Sequence, residues 1–355
     1  DGLSKGDFRQ RNTRSRGPKI VVVGGGTGLG TILRGLKEIS SNLTAIVTVA
    51  DDGGSSGRLR NEFGILPPGD IRNCLVAMAD LEPLMERLMQ YRFQGDSDLG
   101  GHNFGNLFLT ALTGITGDFE AAIKESSKVL AVRGQVLPAT LEHVVLQAEL
   151  EDGTLVTGES QISKSQVPIH RVALQPGNVR PVAEAITAIS EADIILLGPG
   201  SLFTSIIPNL LVAEITDAIK ATKATKVYIC NAMTQPGETD NLTASDHVRK
   251  IVQHTGPGLI DIAIVNTDPI PADVLERYAE EHAYPVVADL EKIKAMGITP
   301  IGKEIIVKAH VVRHDAGKLA NLIEDLIRAR KVESIFGKFI ARHLLKIIEP
   351  ISGLF

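Results

Sequence analysis

The chain has 355 residues, enough for one large or two ordinary domains, since single cores stop growing somewhere above about 250 residues. A formal charge of -5 gives no reason to expect nucleic acid, and no run of about 18 apolar residues is present to span a bilayer. With 43% hydrophobic residues, 34 Gly, no Trp and only Cys74 and Cys230, the composition is that of an aliphatic α/β protein without a disulfide framework or zinc set, as expected in a reducing cytoplasm.

In chain order, residues 1–17 carry Lys5, Arg9, Arg11, Arg14 and Arg16 without a periodic apolar face, which predicts a disordered basic tail and no signal-peptide core. Ile20–Val23 then predicts a strand, followed by a glycine turn, a helix from about Thr31 and a second strand at Ala45–Val49. His143–Leu150 and Leu155–Ser160 flank Glu151-Asp152-Gly153 and predict a β-hairpin insertion at about residues 140–165. Asp193–Leu197, Lys226–Cys230, Asp261–Val265 and Pro285–Ala288 each read as a buried strand of a parallel sheet with helices between. Ile305–Val312 is strand-like and leads to a helix at about Asp315–Arg330. Val332–Ile348 places Ile335, Phe339 and Leu344 at helical spacing with Lys338, Arg342 and Lys346 between, an amphipathic basic helix for docking on its own domain or on a second subunit. The expected fold is one doubly wound α/β sheet over residues 18–330, with additions at 1–17 and 331–355.

Chemistry concentrates where strands end. Val21-Val22-Val23 runs into Gly24-Gly25-Gly26-Thr27-Gly28, a strand–turn–helix geometry that brings backbone amides close to a phosphate. The spacing fits neither G-x-G-x-x-G nor the P-loop, whose lysine is missing, so the loop points to a nucleotide without either signature. Asp51-Asp52-Gly53-Gly54-Ser55-Ser56-Gly57-Arg58-Leu59-Arg60 packs carboxylates, hydroxyls and guanidinium groups into one loop. Asp51 and Asp52 would hold a divalent cation or sugar hydroxyls, and Arg58 and Arg60 a phosphate, while an Asx turn would account for one aspartate. Asp70, Arg72 and Asn73 open one helix, and His102, Asn103 and Asn106 open another. Gly198, Gly200 and Ser201 follow the next strand, then Asn231, Thr234, Gln235 and Thr239, short hydrogen-bonding groups suited to a nucleotide. Arg313 is placed at a further strand end, for a ligand phosphate or for a salt bridge or cap.

Taken together, G-G-G-T-G, D-D-G-G-S-S-G-x-L-R, P-P-G-D-x-R-N, G-H-N-F-G-N, G-P-G-S-L-F-T-S and N-x-M-T-Q-P-G-E-T closely resemble the gluconeogenesis factor (YvcK) family of the CofD-like superfamily. The resemblance covers about residues 18–330. It implies a three-layer α/β/α Rossmann-like sheet, a cytoplasmic protein linked to gluconeogenic growth and cell shape, and binding of UDP-sugars such as UDP-N-acetylglucosamine. The superfamily's enzyme branch, 2-phospho-L-lactate transferase, forms a phosphodiester with a metal near the aspartates. Carried over, Gly25, Gly26, Thr27 and Gly28 would hold phosphate, and Asp51 and Asp52 metal or substrate.

Two readings follow. In one, a nucleotide-sugar sensor binds without turnover and is read by a cell-envelope partner. In the other, Asp51, Asp52 and Asp70 position Mg²⁺ for phosphoryl or nucleotidyl transfer.

Overall fold

A computed structural model describes residues 17–307 and 311–330. The expected amphipathic helix and residues 1–16 of the basic tail lie outside these. Seven strands build the main sheet: β1 (Ile20–Gly24), β2 (Leu43–Val47), β3 (Gln135–Pro138), β7 (Ile194–Leu197), β8 (Thr225–Ile229), β9 (Ile262–Asn266) and β10 (Thr299–Lys303). Their order is β10-β9-β8-β7-β1-β2-β3, and every pairing is parallel. β1, β2 and β7 are buried at every position, which is why they read as unbroken aliphatic runs.

The chain leaves β1 toward β2 and returns to its other side at β7. Their boundary is the topological switch point, where the connecting loops part and leave a crevice at the carboxyl ends. The helix Gly26–Leu36 buries Leu29, Ile32, Leu33 and Leu36, one stripe at i, i+3, i+4 and i+7, and so lies flat on the sheet.

A separate antiparallel sheet, β5-β4-β6, forms the insertion: β4 (Val145–Leu150), β5 (Leu155–Thr157) and β6 (Ile169–Gln175). The expected hairpin is present, its turn closed by Gly153 at φ +83° and by Asp152 Oδ1 accepting from the Thr154 amide. The third strand, β6, extends the insertion past residue 165.

Two strand expectations are corrected. Pro285–Ala288 is no sheet strand: it meets the chain at Met233 through an isolated bridge, and Val286 N donates to Ala232 O. β3 and β10 take the sheet edges instead, where Pro138 and Pro300 leave no central ladder bond unmade. Of the strand expected at Ile305–Val312, only β11 (Ile306–Val307) is paired, antiparallel to β12 (Arg313–His314). Arg313 therefore sits within a small hairpin, just before the helical residues 316–330.

Candidate functional site

At the carboxyl ends of β1, β7 and β8 lies a cleft of about 580 Å³. The first helix begins at Gly26, earlier than the sequence suggests, so Gly26, Thr27 and Gly28 form its first turn and line the cleft with amides that no helix carbonyl can reach. Gly26 has φ +67°, and a Cβ there would meet only Ser205 Oγ at 3.5 Å. Gly28 is packed from the other side, where a Cβ would stand 2.9 Å from Pro199 O. A Cβ on Gly25 would stand 2.5 Å from Asp70 Oδ2, so that glycine lets the loop settle on a carboxylate rather than on a ligand. Asp70 accepts from the Gly26 amide, and its carboxyl is pushed up to about 6 by loss of solvent, with Asp51 adding to the rise.

The opposite wall is braced by amides. Asn231 Nδ2 donates to Gly200 O at 2.9 Å while its Oδ1 accepts from Gly200 N at 3.3 Å, and Gln235 Nε2 donates to Ser201 Oγ at 2.8 Å. Thr234 Oγ1 accepts from Tyr284 N, and the buried Thr239 accepts from Gln235 N. Asn231, Thr234, Gln235, Gly200 and Ser201 line the cleft; Thr239 and Gly198 stand behind it. The helical turn after β7, Leu202–Ile206, is capped by the chain itself: Thr204 Oγ1 donates to Glu238 Oε1 at 2.9 Å, with the Phe203 and Thr204 amides also facing that carboxylate. Of the two glycine loops at the switch point, that of β1 gives its Gly26 amide to Asp70 and presents Thr27 and Gly28, next in the first helical turn, to the cleft.

The remaining sequence candidates gather beside the cleft. Asp51 Oδ1 accepts from Gly53 N at 2.9 Å, an Asx turn, and Asp52 Oδ1 accepts from Ser160 N at 2.9 Å, tying this loop to the insertion. Ser55 Oγ pairs with His102 Nδ1 and accepts from the Asn103 amide and Asn106 Nδ2, all at 3.2 Å. Asn103 caps the helix Phe104–Thr116 by accepting from Asn106 N. Arg58 donates to Gly100 O, Arg72 to Asn73 Oδ1, Arg60 to Val144 O, and Ser56 bonds Asp51. None of these side chains lines the 580 Å³ cleft. Among the described residues no group of three or more His, Cys, Asp and Glu has metal-binding spacing.

Arg313 does line the cleft, on a strand packed against the helix Gly26–Leu36. Beside it His314 Nε2 donates to Cys230 O at 3.1 Å, and burial holds its imidazole down to about 4, so it is neutral at pH 7.

Residues 20–306 match the family model described as 2-phospho-L-lactate transferase CofD. The gluconeogenesis factor of Bacillus subtilis is 55% identical over 312 residues, covering 88% of this chain and 98% of that protein. The chain belongs to the gluconeogenesis factor family. A second relative, the gluconeogenesis factor of Halalkalibacterium halodurans, is 53% identical over 305 residues, covering 86% of this chain and 95% of its own. A crystal structure of a Bacillus halodurans protein superimposes with a TM-score of 0.83 at 52% identity, covering 86% of this chain and 98% of that one. The Rossmann-like sheet of this gluconeogenesis factor relative is thus the expected one.

Among the cleft residues that sequence reasoning did not single out are two acids, Glu159 and Glu238, the second within the motif Asn231–Thr239. Glu159 opens the short helix Glu159–Ile162 of the insertion, and its carboxyl is pushed up to about 8 by burial, then by Asp51, Glu238, Asp52 and Asp70. A carboxyl whose folded value is raised adds most stability below its unfolded value of 4.5 and loses that contribution as pH climbs toward 8. Glu159→Gln is therefore expected to raise the melting temperature at pH 8.5 and to change it little at pH 4. Equal shifts at both pH values in a thermal melt would remove Glu159 from this role.

Proposed function

We propose that this chain binds a nucleotide-sugar, a UDP-sugar such as UDP-N-acetylglucosamine, with the diphosphate on Gly26, Thr27 and Gly28. In this reading it acts in the cytoplasm as a sensor in carbon metabolism and cell-shape control, read by a cell-envelope partner, and as a homo-oligomer. One observation carries the binding part: the helix start at Gly26, Thr27 and Gly28 lines a cleft that Arg313 also lines. Amides supply the fixed half of an anion site, and a guanidinium supplies the charge. Among the described residues no single helix is long and apolar enough to cross a membrane.

The competing reading, a Mg²⁺-dependent phosphotransferase or nucleotidyltransferase, draws support from the transferase family model and from the carboxylates behind the loop. Yet Asp51 and Asp52 each spend an oxygen on a backbone amide, and no third ligand stands at metal spacing among the described residues. Mg²⁺ would enter with the ligand's phosphates, as it commonly does.

Calorimetry against UDP-, GDP- and adenine nucleotides, with and without Mg²⁺, tests the proposal. Arg313→Ala is expected to weaken UDP-sugar binding on the order of tenfold to a hundredfold, the usual cost of a lost charged hydrogen bond. Wild-type affinity in that variant would assign Arg313 to the hairpin alone, and multiple-turnover release of UDP or UMP would make the protein an enzyme.

A further inference from the structure

The cleft has two unlike ends. Following the sheet order, Glu159 stands over the loop after β2, the open glycine turn follows β1, Pro199–Ser201 follow β7, Met233 follows β8 and Tyr278 lies beyond β9. A diphosphate on Gly26–Gly28 therefore has one neighbour that includes Met233, Tyr278, Ala283 and Val311, together with Glu281, mostly apolar and aromatic surface of the kind a nucleobase covers. Its other neighbour is Glu159, Ser163 and Glu238, all hydrogen-bonding groups.

That second end is held in place without being satisfied. Ser163 Oγ reaches Glu159 O at 3.1 Å and Glu238 Oε1 at 3.4 Å, linking insertion and loop. Gly237, at φ +80°, seats the loop on the insertion, since a Cβ there would stand 2.7 Å from Ser163 O. Glu238 is only 7% exposed, and its Oε2 has no hydrogen-bond partner. Glu159 Oε2 lies near the loop after β2, 3.9 Å from where a Gly53 Cβ would be, with Asp51 Oδ1 3.4 Å from the same point. The ionisable groups acting on Glu159 are Asp51, Glu238, Asp52 and Asp70, all acids, and Arg60 is spent on carbonyl oxygens.

Buried carboxyl oxygens without partners cost free energy on binding unless the ligand brings donors to meet them, and any charge they carry opposes a diphosphate. Hydroxyl and amide N–H groups on a glycosyl unit are such donors, and a bare phosphate terminus is not. We infer that Glu159, braced by Ser163 and Glu238, forms a hydroxyl-reading subsite for the glycosyl group on the far side of the diphosphate from the base. The inference rests on the nucleotide-sugar reading above and adds which end takes the sugar and which residue selects it.

The test is titration of wild type, Glu159→Ala and Glu159→Gln with UDP and with UDP-glucose, each variant first checked for a cooperative thermal transition little changed from wild type at pH 4. Wild type should prefer UDP-glucose. Glu159→Ala should lose on the order of tenfold for UDP-glucose and keep its UDP affinity, and Glu159→Gln, which still hydrogen-bonds, should recover part of the loss. Ser163→Ala supplies a second, milder perturbation of the same end and should narrow the preference. An unchanged UDP-glucose to UDP ratio in Glu159→Ala overturns the subsite while leaving the nucleotide-sugar reading intact. Wild type that binds UDP and UDP-glucose alike also overturns the subsite alone, whereas wild type that binds neither overturns both.

Discussion

Gly26→Val is expected to abolish nucleotide-sugar binding and to leave the sheet folded. Two effects act together at this residue. The backbone holds φ +67°, a region that a β-branched residue enters only under strain, at a cost of about 1–2 kcal/mol. The added side chain would also point where only Ser205 Oγ stands within 4 Å, at 3.5 Å, so its methyl groups would occupy cleft volume rather than core. The loss should then be local: β1 and its neighbours pair through Gly24 and the residues before it, and none of those contacts passes through position 26. Calorimetry with UDP-sugars and a urea titration separate the two effects. A well-folded variant that binds as wild type would show that the diphosphate does not sit on this turn.

The parts of the fold that were legible are those in which residue pattern and burial coincide. Val21–Val23 and Ile194–Leu197 are buried on both faces and read as such, and the turn Glu151-Asp152-Gly153 announces its hairpin. The edge strands were not legible, because Thr299–Lys303 contains proline and glycine and is half exposed, which mimics a loop. Pro285–Ala288 misled for the opposite reason: its apolar residues pack on the loop after β8 rather than on a strand. At the site, glycine loops were visible because chain geometry alone demands them. Glu159 was not, since nothing local marks it, and Glu238 stood unremarked inside the motif of Asn231 to Thr239. Their place follows from the insertion folding back on the first half of the chain, where Ser160 and Asp52 meet from 108 residues apart. The Asp51–Asp52 pair looked like one functional unit, and the structure divides it into an Asx turn and a tie to the insertion.

Asp70→Ala is expected to lower folding stability by about 3 kcal/mol and, through the glycine turn, to weaken nucleotide-sugar binding as well. The carboxylate lies beneath that turn, accepts from the Gly26 amide and bonds Asn73, and its charge offsets Arg72, which is only 9% exposed. Removing it leaves an amide without its acceptor and a buried guanidinium with less compensation, two costs that add. Asp70→Asn keeps an acceptor of the same shape and should lose less. The pH dependence has a definite sign: with a folded value of about 6 against 3.8 unfolded, the stabilising contribution of the protonated carboxyl is complete below 3.8 and fades as pH rises through 6. Wild-type stability should therefore fall across that window, and Asp70→Asn should flatten this part of the profile. Urea denaturation at pH 5 and 8 measures both quantities. If Asp70→Ala keeps wild-type stability and nucleotide affinity but removes a measurable turnover, Asp70 is a catalytic group and not a brace under the glycine turn.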